Sequence, residues 1–165
     1  RDLHSFPTRR SSDLLTVSLH GHPRFAYPYF SGFEDEKGEG EGRGFNLNIP
    51  LPEKMSGSDY VDPLRRAIRR IEEFAPSFLV VALGGDTCKN DPTGTWSLAA
   101  KDFEINGRLL GALDLPVLVV QEGGYNTRLL GENIRSFFKG LFQSSRSAGA
   151  RLWSPAPRDR RPAPR

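Results

Sequence analysis

The chain holds 165 residues, 37% of them hydrophobic, which suits one soluble globular domain. No apolar run reaches the roughly 18–20 residues of a membrane span, and no apolar block follows the N-terminal arginines as a signal peptide requires. The net charge of +3 sits in the ends, because residues 1–14 carry +1 and residues 151–165 carry +4, leaving −2 on residues 15–150; the body lacks the basic face a nucleic-acid binder needs.

Neither nucleic acid nor a membrane is therefore an expected partner. The single cysteine, Cys88, precludes an internal disulfide and fits a reducing compartment, here read as the cytoplasm. Residues 1–14 read as an arm outside the fold. Within it, "SFPTRRSSDL" resembles the translation of a short sequencing adapter; the other reading is a natural flexible arm. "LLTVSLH" (14–20) is apolar and β-branched, and Gly21 and Pro23 follow it, so it reads as a buried strand. Residues 21–57 read as a long loop, whose aromatics Phe25, Tyr27, Tyr29, Phe30 and Phe33 point to order. Its "GEGEGRG" lacks the leading strand and following helix of a nucleotide fingerprint. "NLNIPL" reads as a short extended piece ending at Pro50.

Between 59 and 75 the period becomes helical. Leu64, Ala67, Ile68, Ile71 and Phe74 form one stripe, with Ser58 or Asp59 as cap. Arg65, Arg66, Arg69 and Arg70 lie on the other side and read as a solvated face rather than a binding patch. Pro76 stops this helix, and "FLVVALG" (78–84) follows as a continuously apolar strand. A helix over 100–113 uses Phe103, Leu109, Leu110 and Leu113. "PVLVVQ" (116–121) is another strand, and a helix over 128–142 aligns Leu130, Ile134, Phe137, Phe138 and Leu141. The Pro/Arg-rich end has too little apolar content to fold, so residues 146–165 read as a disordered tail. The alternation of strands and helices predicts an α/β fold with a parallel sheet covered by helices on both faces.

In open α/β sheets, ligands bind beyond the carboxyl ends of the strands. Ser18 and His20 close the first strand, Asp86 follows the second, and Glu122-Gly123-Gly124-Tyr125 follows the third. The three groups are expected to converge on one edge. Asp86 could bind a metal ion or cap the next turn, and Asp91 reads as a turn cap. Tyr125 could donate to an oxyanion or simply pack into its loop. His20 and His22 straddle Gly21 as metal ligands could, but a histidine at a strand end more often makes a structural hydrogen bond. Cys88 has no base spaced to activate it and reads as incidental.

The segments "VSLHG…YPYFSGFEDEKGEGEGRGFNLNIPLP", "VVALGGDTCKNDPTG" and "VVQEGGYN…LGENIRSFFKG" resemble, in order, successive motifs of the zinc-dependent histone deacetylase superfamily. The flavour is that of the acetylpolyamine amidohydrolase and acetoin-utilisation branch. The similarity spans about residues 15–142, and the pairing of G-x-D-x(4)-D-P-x-G with E-G-G-Y is specific. It implies an arginase/deacetylase fold and a catalytic zinc, with Asp86 matching one aspartate ligand. Tyr125 matches the tyrosine that hydrogen-bonds the substrate carbonyl. Ser18 and Leu19 match positions that help to hold a structural potassium ion, and Phe45 one that lends its carbonyl to a second. Tyr27 matches an aromatic lining the acyl-lysine tunnel, and Gly123-Gly124 the glycine turn at its floor. The implied substrates are acetylated lysine or acetylated polyamines.

The family also needs a D-x-H pair for the remaining zinc ligands and two adjacent histidines upstream. Residues 15–142 contain neither. The chain thus reads as the C-terminal half of a deacetylase, inactive by itself and exposing a raw sheet edge or face; the alternative is a non-catalytic α/β binding module. Thr93, after Asp91-Pro92, is not an acid that would greet a cationic polyamine, so the substrate stays open between protein, polyamine and small amide.

Overall fold

The computed structural model describes residues 12–152. In chain order these form β1 (Thr16–Gly21), β2 (Asn46–Leu51), α1 (Gly57–Phe74), β3 (Leu79–Gly84), α2 (Ala100–Gly111), β4 (Val117–Glu122) and α3 (Thr127–Leu152). None of these helices is long and apolar enough to cross a membrane.

Among the described residues all strand pairing is parallel, as expected, but hydrogen bonds divide the strands into two pairs rather than one row. β1 pairs with β2 from Thr16 opposite Asn46 to Gly21 opposite Leu51. β3 pairs with β4 from Leu79 opposite Val117 to Gly84 opposite Glu122. The first strand therefore does not lie beside the second and third; its neighbour is "NLNIPL", a complete six-residue strand. Two asparagines and a proline weaken that strand's sequence signal. Burial explains why it forms. Ile49 and Leu51 enter the core, while Asn46 and Asn48 are buried and satisfied. Asn46 Nδ2 donates to the Glu36 carbonyl at 2.6 Å, and Asn48 Nδ2 to the Phe33 carbonyl at 3.0 Å.

Those two bonds also explain how the long connection between β1 and β2 stays ordered. The Glu36 carboxylate accepts from the Gly32 and Phe33 backbone N–H groups at 2.9 and 3.2 Å. From the other side α1 holds the same loop: Arg66 pairs with Glu34 at 2.9 Å, and Arg70 donates to the Gly44 carbonyl at 2.9 Å. Half of the arginine cluster that reads as solvated thus ties down the connection.

α1 starts two residues before the expected position. Its cap is Ser56, not Ser58 or Asp59, because Ser56 Oγ accepts the Asp59 N–H at 3.3 Å while the Asp59 carboxylate accepts the Ser56 N–H at 3.4 Å. This reciprocal pair is a capping box. The helix ends at Ala75, in the left-handed region with φ of 52°, and Pro76 cannot continue it.

α2 and α3 touch backbone to backbone. A Cβ on Gly107 would overlap the Phe137 carbonyl, one on Gly111 the Leu141 carbonyl, and one on Gly140 the Glu104 carbonyl. Three glycines therefore set the interhelical distance, and Phe103, Phe137, Leu110 and Leu141 fill the core beside them. α3 runs on to Leu152, past the expected end at 142 and into the range read as tail; residues 153–165 and the arm residues 1–11 lie outside the described residues.

Among the described residues the β3–β4 pair is covered on one side only, against the expectation of helices on both faces. Leu79, Val81, Leu83, Val117 and Val119 pack on the core, whereas Phe78, Val80, Leu118 and Val120 are exposed. The alternation follows from the period-two pleat.

Gly140→Ala should destabilise the chain by about 1–2 kcal/mol, since overpacking against a fixed carbonyl outweighs the gain of about 1 kcal/mol in helix propensity. Urea denaturation followed by circular dichroism measures this, and an unchanged or raised midpoint would contradict the backbone contact.

Candidate functional site

The shared register of β3 and β4 ends both strands at one level, Gly84 opposite Glu122. The segments leaving these ends are therefore pressed together. Asp86, in a short 3-10 turn after Gly84, lies against both strand ends: a Cβ on Gly84 would come within 2.7 Å of Asp86 Oδ1, and one on Gly123 within 2.6 Å of Oδ2. A Cβ on Gly85 would sit 3.2 Å from the Gly124 Cα. Side chains at these glycines would displace the carboxylate or the turn. Gly123 and Gly124 also have φ of +50° and +100°, a conformation that glycine adopts without steric cost.

Burial raises the Asp86 carboxyl above the usual aspartate range, and the negative charges of Asp91 and Glu122 push it further, against a hydrogen bond from its own backbone N–H. Asp91, five residues on, is shifted the other way. It is only 5% exposed, and that burial opposes ionisation, but hydrogen bonds from Thr93, Tyr125 and Asn126 outweigh it and lower its pKa. Asp91 Oδ1 accepts from the Thr93 N–H at 3.0 Å and hydroxyl at 2.8 Å. Asp91 Oδ2 accepts from the Tyr125 N–H at 2.7 Å and the Asn126 N–H at 3.0 Å. Tyr125 thus leaves the glycine turn with its backbone held by Asp91, and the residue is 57% exposed.

Cys88 is 1% exposed. Burial, then the charges of Asp91 and Asp86, raise its thiol, against hydrogen bonds that include one with the Asn133 side chain. A buried protonated thiol has no nucleophilic role, in keeping with its incidental reading.

The first strand's residues form a separate cluster. His20 lies 2.8 Å from Ser18 Oγ through Nδ1 and 2.8 Å from the Gly32 carbonyl through Nε2. A carbonyl only accepts, so Nε2 is the donor to Gly32, and in that tautomer of the neutral ring Nδ1 accepts from the Ser18 hydroxyl. His22 accepts the Arg24 N–H at 3.1 Å and meets Phe33 edge-on. Both histidines make structural contacts. Leu19 packs against the core beside Ser18. The Phe45 carbonyl accepts the Thr16 N–H at 2.9 Å, and its ring meets Phe74 edge-on. Tyr27 is 73% exposed and stands edge-on to Tyr29. Of the three strand ends expected to converge, the described hydrogen bonds join the second and third only.

Among the described residues, no group of three or more His, Cys, Asp and Glu side chains is placed to hold a metal ion. Asp86 by itself fits one ligand position: it is a partly buried carboxylate facing two other acids, an arrangement a cation would relieve. A D-x-H spacing does occur at Asp2-Leu3-His4, ahead of the residues that carry the motifs and outside the described ones. What the sequence reading missed is the part played by Asp91, read as a turn cap; it caps its own turn and also grips the Tyr125 segment.

The histone deacetylase domain matches residues 6–141. The chain belongs to the histone deacetylase family. Within that family it is 44% identical over 129 residues to an acetylpolyamine amidohydrolase of Burkholderia pseudomallei, covering 78% of this chain and 38% of that protein. It is 42% identical over 130 residues to acetylpolyamine amidohydrolase 2 of Pseudomonas aeruginosa, covering 79% and 38%. The crystal structure of acetylpolyamine aminohydrolase from Burkholderia pseudomallei superposes with a TM-score of 0.80 at 41% identity, over 82% of this chain and 40% of that one. The deacetylase fold is thus shared, and the chain spans about two fifths of these relatives' length.

The Asp86 shift carries a sign. Its folded pKa lies above the ordinary 3.8, so the folded state holds its proton more tightly, and stability falls as pH rises through that window. Asp86→Asn should therefore raise the melting temperature at pH 7 and change it little near pH 3. A lowered melting temperature at pH 7 would show the carboxylate to be favourably paired.

Proposed function

We propose that this chain is part of a zinc-dependent deacetylase or amidohydrolase acting on acetyl-amide bonds, with Asp86 as one zinc ligand and Tyr125 as the donor to the carbonyl oxygen. The supporting observation is that the Asp86 carboxylate and the Gly123–Tyr125 turn share one rim of the β3–β4 pair. Asp86 would supply an anionic oxygen to the ion. Zinc, when bound with its remaining ligands, polarises an amide carbonyl and activates water. Tyr125 O–H would donate to the carbonyl oxygen as it gains negative charge, an interaction worth on the order of 3–4 kcal/mol to the transition state. Gly123 and Gly124 keep side chains away from the site's floor, and Tyr27 would line the approach. Ser18, Leu19 and Phe45 would lend oxygens to structural potassium ions.

The substrate class is acetylated lysine or acetylated polyamine. The polyamine side is supported by relatives named acetylpolyamine amidohydrolases at 44% and 42% identity. The reducing compartment consistent with a buried free Cys88 is the cytoplasm. A second reading, a non-catalytic deacetylase-like binding module, is favoured for the polypeptide by itself because its described residues hold no group of three or more His, Cys, Asp and Glu side chains placed for a metal ion.

Two measurements separate these readings. In a complete relative, phenylalanine at the position matching Tyr125 should cut turnover at least about a hundredfold while zinc stays bound; unchanged turnover would remove the tyrosine from the mechanism. The purified 165-residue chain should show no zinc-dependent release of acetate from an acetylated lysine or polyamine. Release abolished by Asp86→Asn would instead place a working centre in this chain.

A further inference from the structure

Tyr125 follows two glycines whose backbones have positive φ and no Cβ to restrict them. Such a turn does not define by itself where the next side chain starts. A hydrogen-bond donor in a catalytic site must hold its position closely, because a misplacement of about 1 Å can cost about a hundredfold in rate. Something outside the turn has to supply that constraint.

We propose that Asp91 is the positioning residue for Tyr125: its buried carboxylate takes the backbone N–H groups of Tyr125 and Asn126 and fixes where the phenol leaves the glycine turn. This rests on the functional reading of Tyr125 given above. The geometry divides the work between the two oxygens. Oδ1 is tied to Thr93 at 3.0 and 2.8 Å, which orients the carboxylate within its own loop. Oδ2 then reaches 34 residues along the chain to Tyr125 at 2.7 Å and 35 to Asn126 at 3.0 Å. The grip is returned, since Asn126 Nδ2 donates to the Lys89 and Asn90 carbonyls at 3.3 and 3.2 Å. Asn126 also opens α3, its carbonyl accepting the Leu129 and Leu130 N–H groups, both at 3.0 Å. The carboxylate therefore faces the positive end of that helix, where a negative charge is favoured. Hydrogen bonds donated to an ionised acceptor are shorter and stronger than those between neutral groups. A turn cap alone would need Oδ1 only; the second oxygen is spent on the tyrosine segment.

Amide hydrogen exchange on the 165-residue chain tests the clamp directly. Tyr125 and Asn126 amides should be protected in the unmodified protein. Asp91→Ala should speed their exchange at least about tenfold, Asp91→Asn should do so less because its amide oxygen still accepts, and β3 and β4 amides should keep their protection. Unprotected Tyr125 and Asn126 amides in the unmodified chain would overturn the proposal without any variant being needed. So would an Asp91→Ala chain that retains its folded β3 and β4 and the same protection. The catalytic consequence is read in the Burkholderia pseudomallei acetylpolyamine amidohydrolase, at the positions aligned with Asp91 and Tyr125. Alanine for the aspartate should lower kcat more than it raises KM, and should lower kcat no further once the tyrosine is phenylalanine. An equal fall in both backgrounds would reduce the aspartate to a stabilising residue and sink its positioning role. Phenylalanine without effect would instead defeat the reading of Tyr125, leaving the exchange data to decide the clamp by itself.

Discussion

The in-register parallel pairing of β3 with β4 is the constraint on which the site depends. Gly84 and Glu122 stand opposite each other, so the turns that follow leave the sheet at the same height and on the same side. A register slip of one residue would turn every side chain of a strand to the other face, burying Val80 where Val81 now packs and carrying Asp86 away from Gly123. Register is in turn secured by the helices, since Val81, Leu83, Val117 and Val119 reach the core that α2 and α3 close around Phe103 and Phe137. The glycines at 107, 111 and 140 let those helices approach to backbone contact.

On this frame the pKa values of two acids at the rim are shifted in opposite directions. Asp91 is buried and ionises readily because four donor contacts meet it. Asp86 lacks comparable compensation, and burial together with Asp91 and Glu122 disfavours its charge. Pairs of acids pushed apart in this way mark division of labour in many sites. Here Asp91 is committed to structure, whereas Asp86 keeps an unmet demand for positive charge. On the proposed reading, the ligand and brace roles of G-x-D-x(4)-D-P-x-G fall on different aspartates of one motif.

Much of the architecture is legible in the sequence. Apolar β-branched runs at 78–84 and 116–121 announce β3 and β4, and three-and-four spacing announces α1, α2 and the start of α3 within a few residues, but not the end of α3 at Leu152. Asp86 and Tyr125 could be put on one rim because both follow strand ends, and parallel strands deliver their ends together. β2 was harder, since its inward positions include Asn46 and Asn48, which are buried only because a distant loop offers carbonyls to their amides. The partners that make polar residues fit for a core lie far away in sequence, and no local pattern reveals them. Asp91 was undervalued for the same reason: its turn bond to Thr93 is local, whereas its bonds to Tyr125 and Asn126 span 34 and 35 residues. Ser56 was displaced as cap by better-looking neighbours, although a Ser followed three residues later by Asp59 carries the pattern.

The uncovered side of β3 and β4 has a practical corollary. The pleat sends Val80, Leu118 and Val120 away from the packed interior, so their chemistry is decoupled from the contacts that hold the helices. Threonine or lysine at these three places would recolour a greasy wall without disturbing Leu79, Val81, Leu83, Val117 or Val119 behind it. A better-behaved version of the polypeptide is thus reachable through its outer wall alone, with the rim that carries Asp86 and Tyr125 left as it stands.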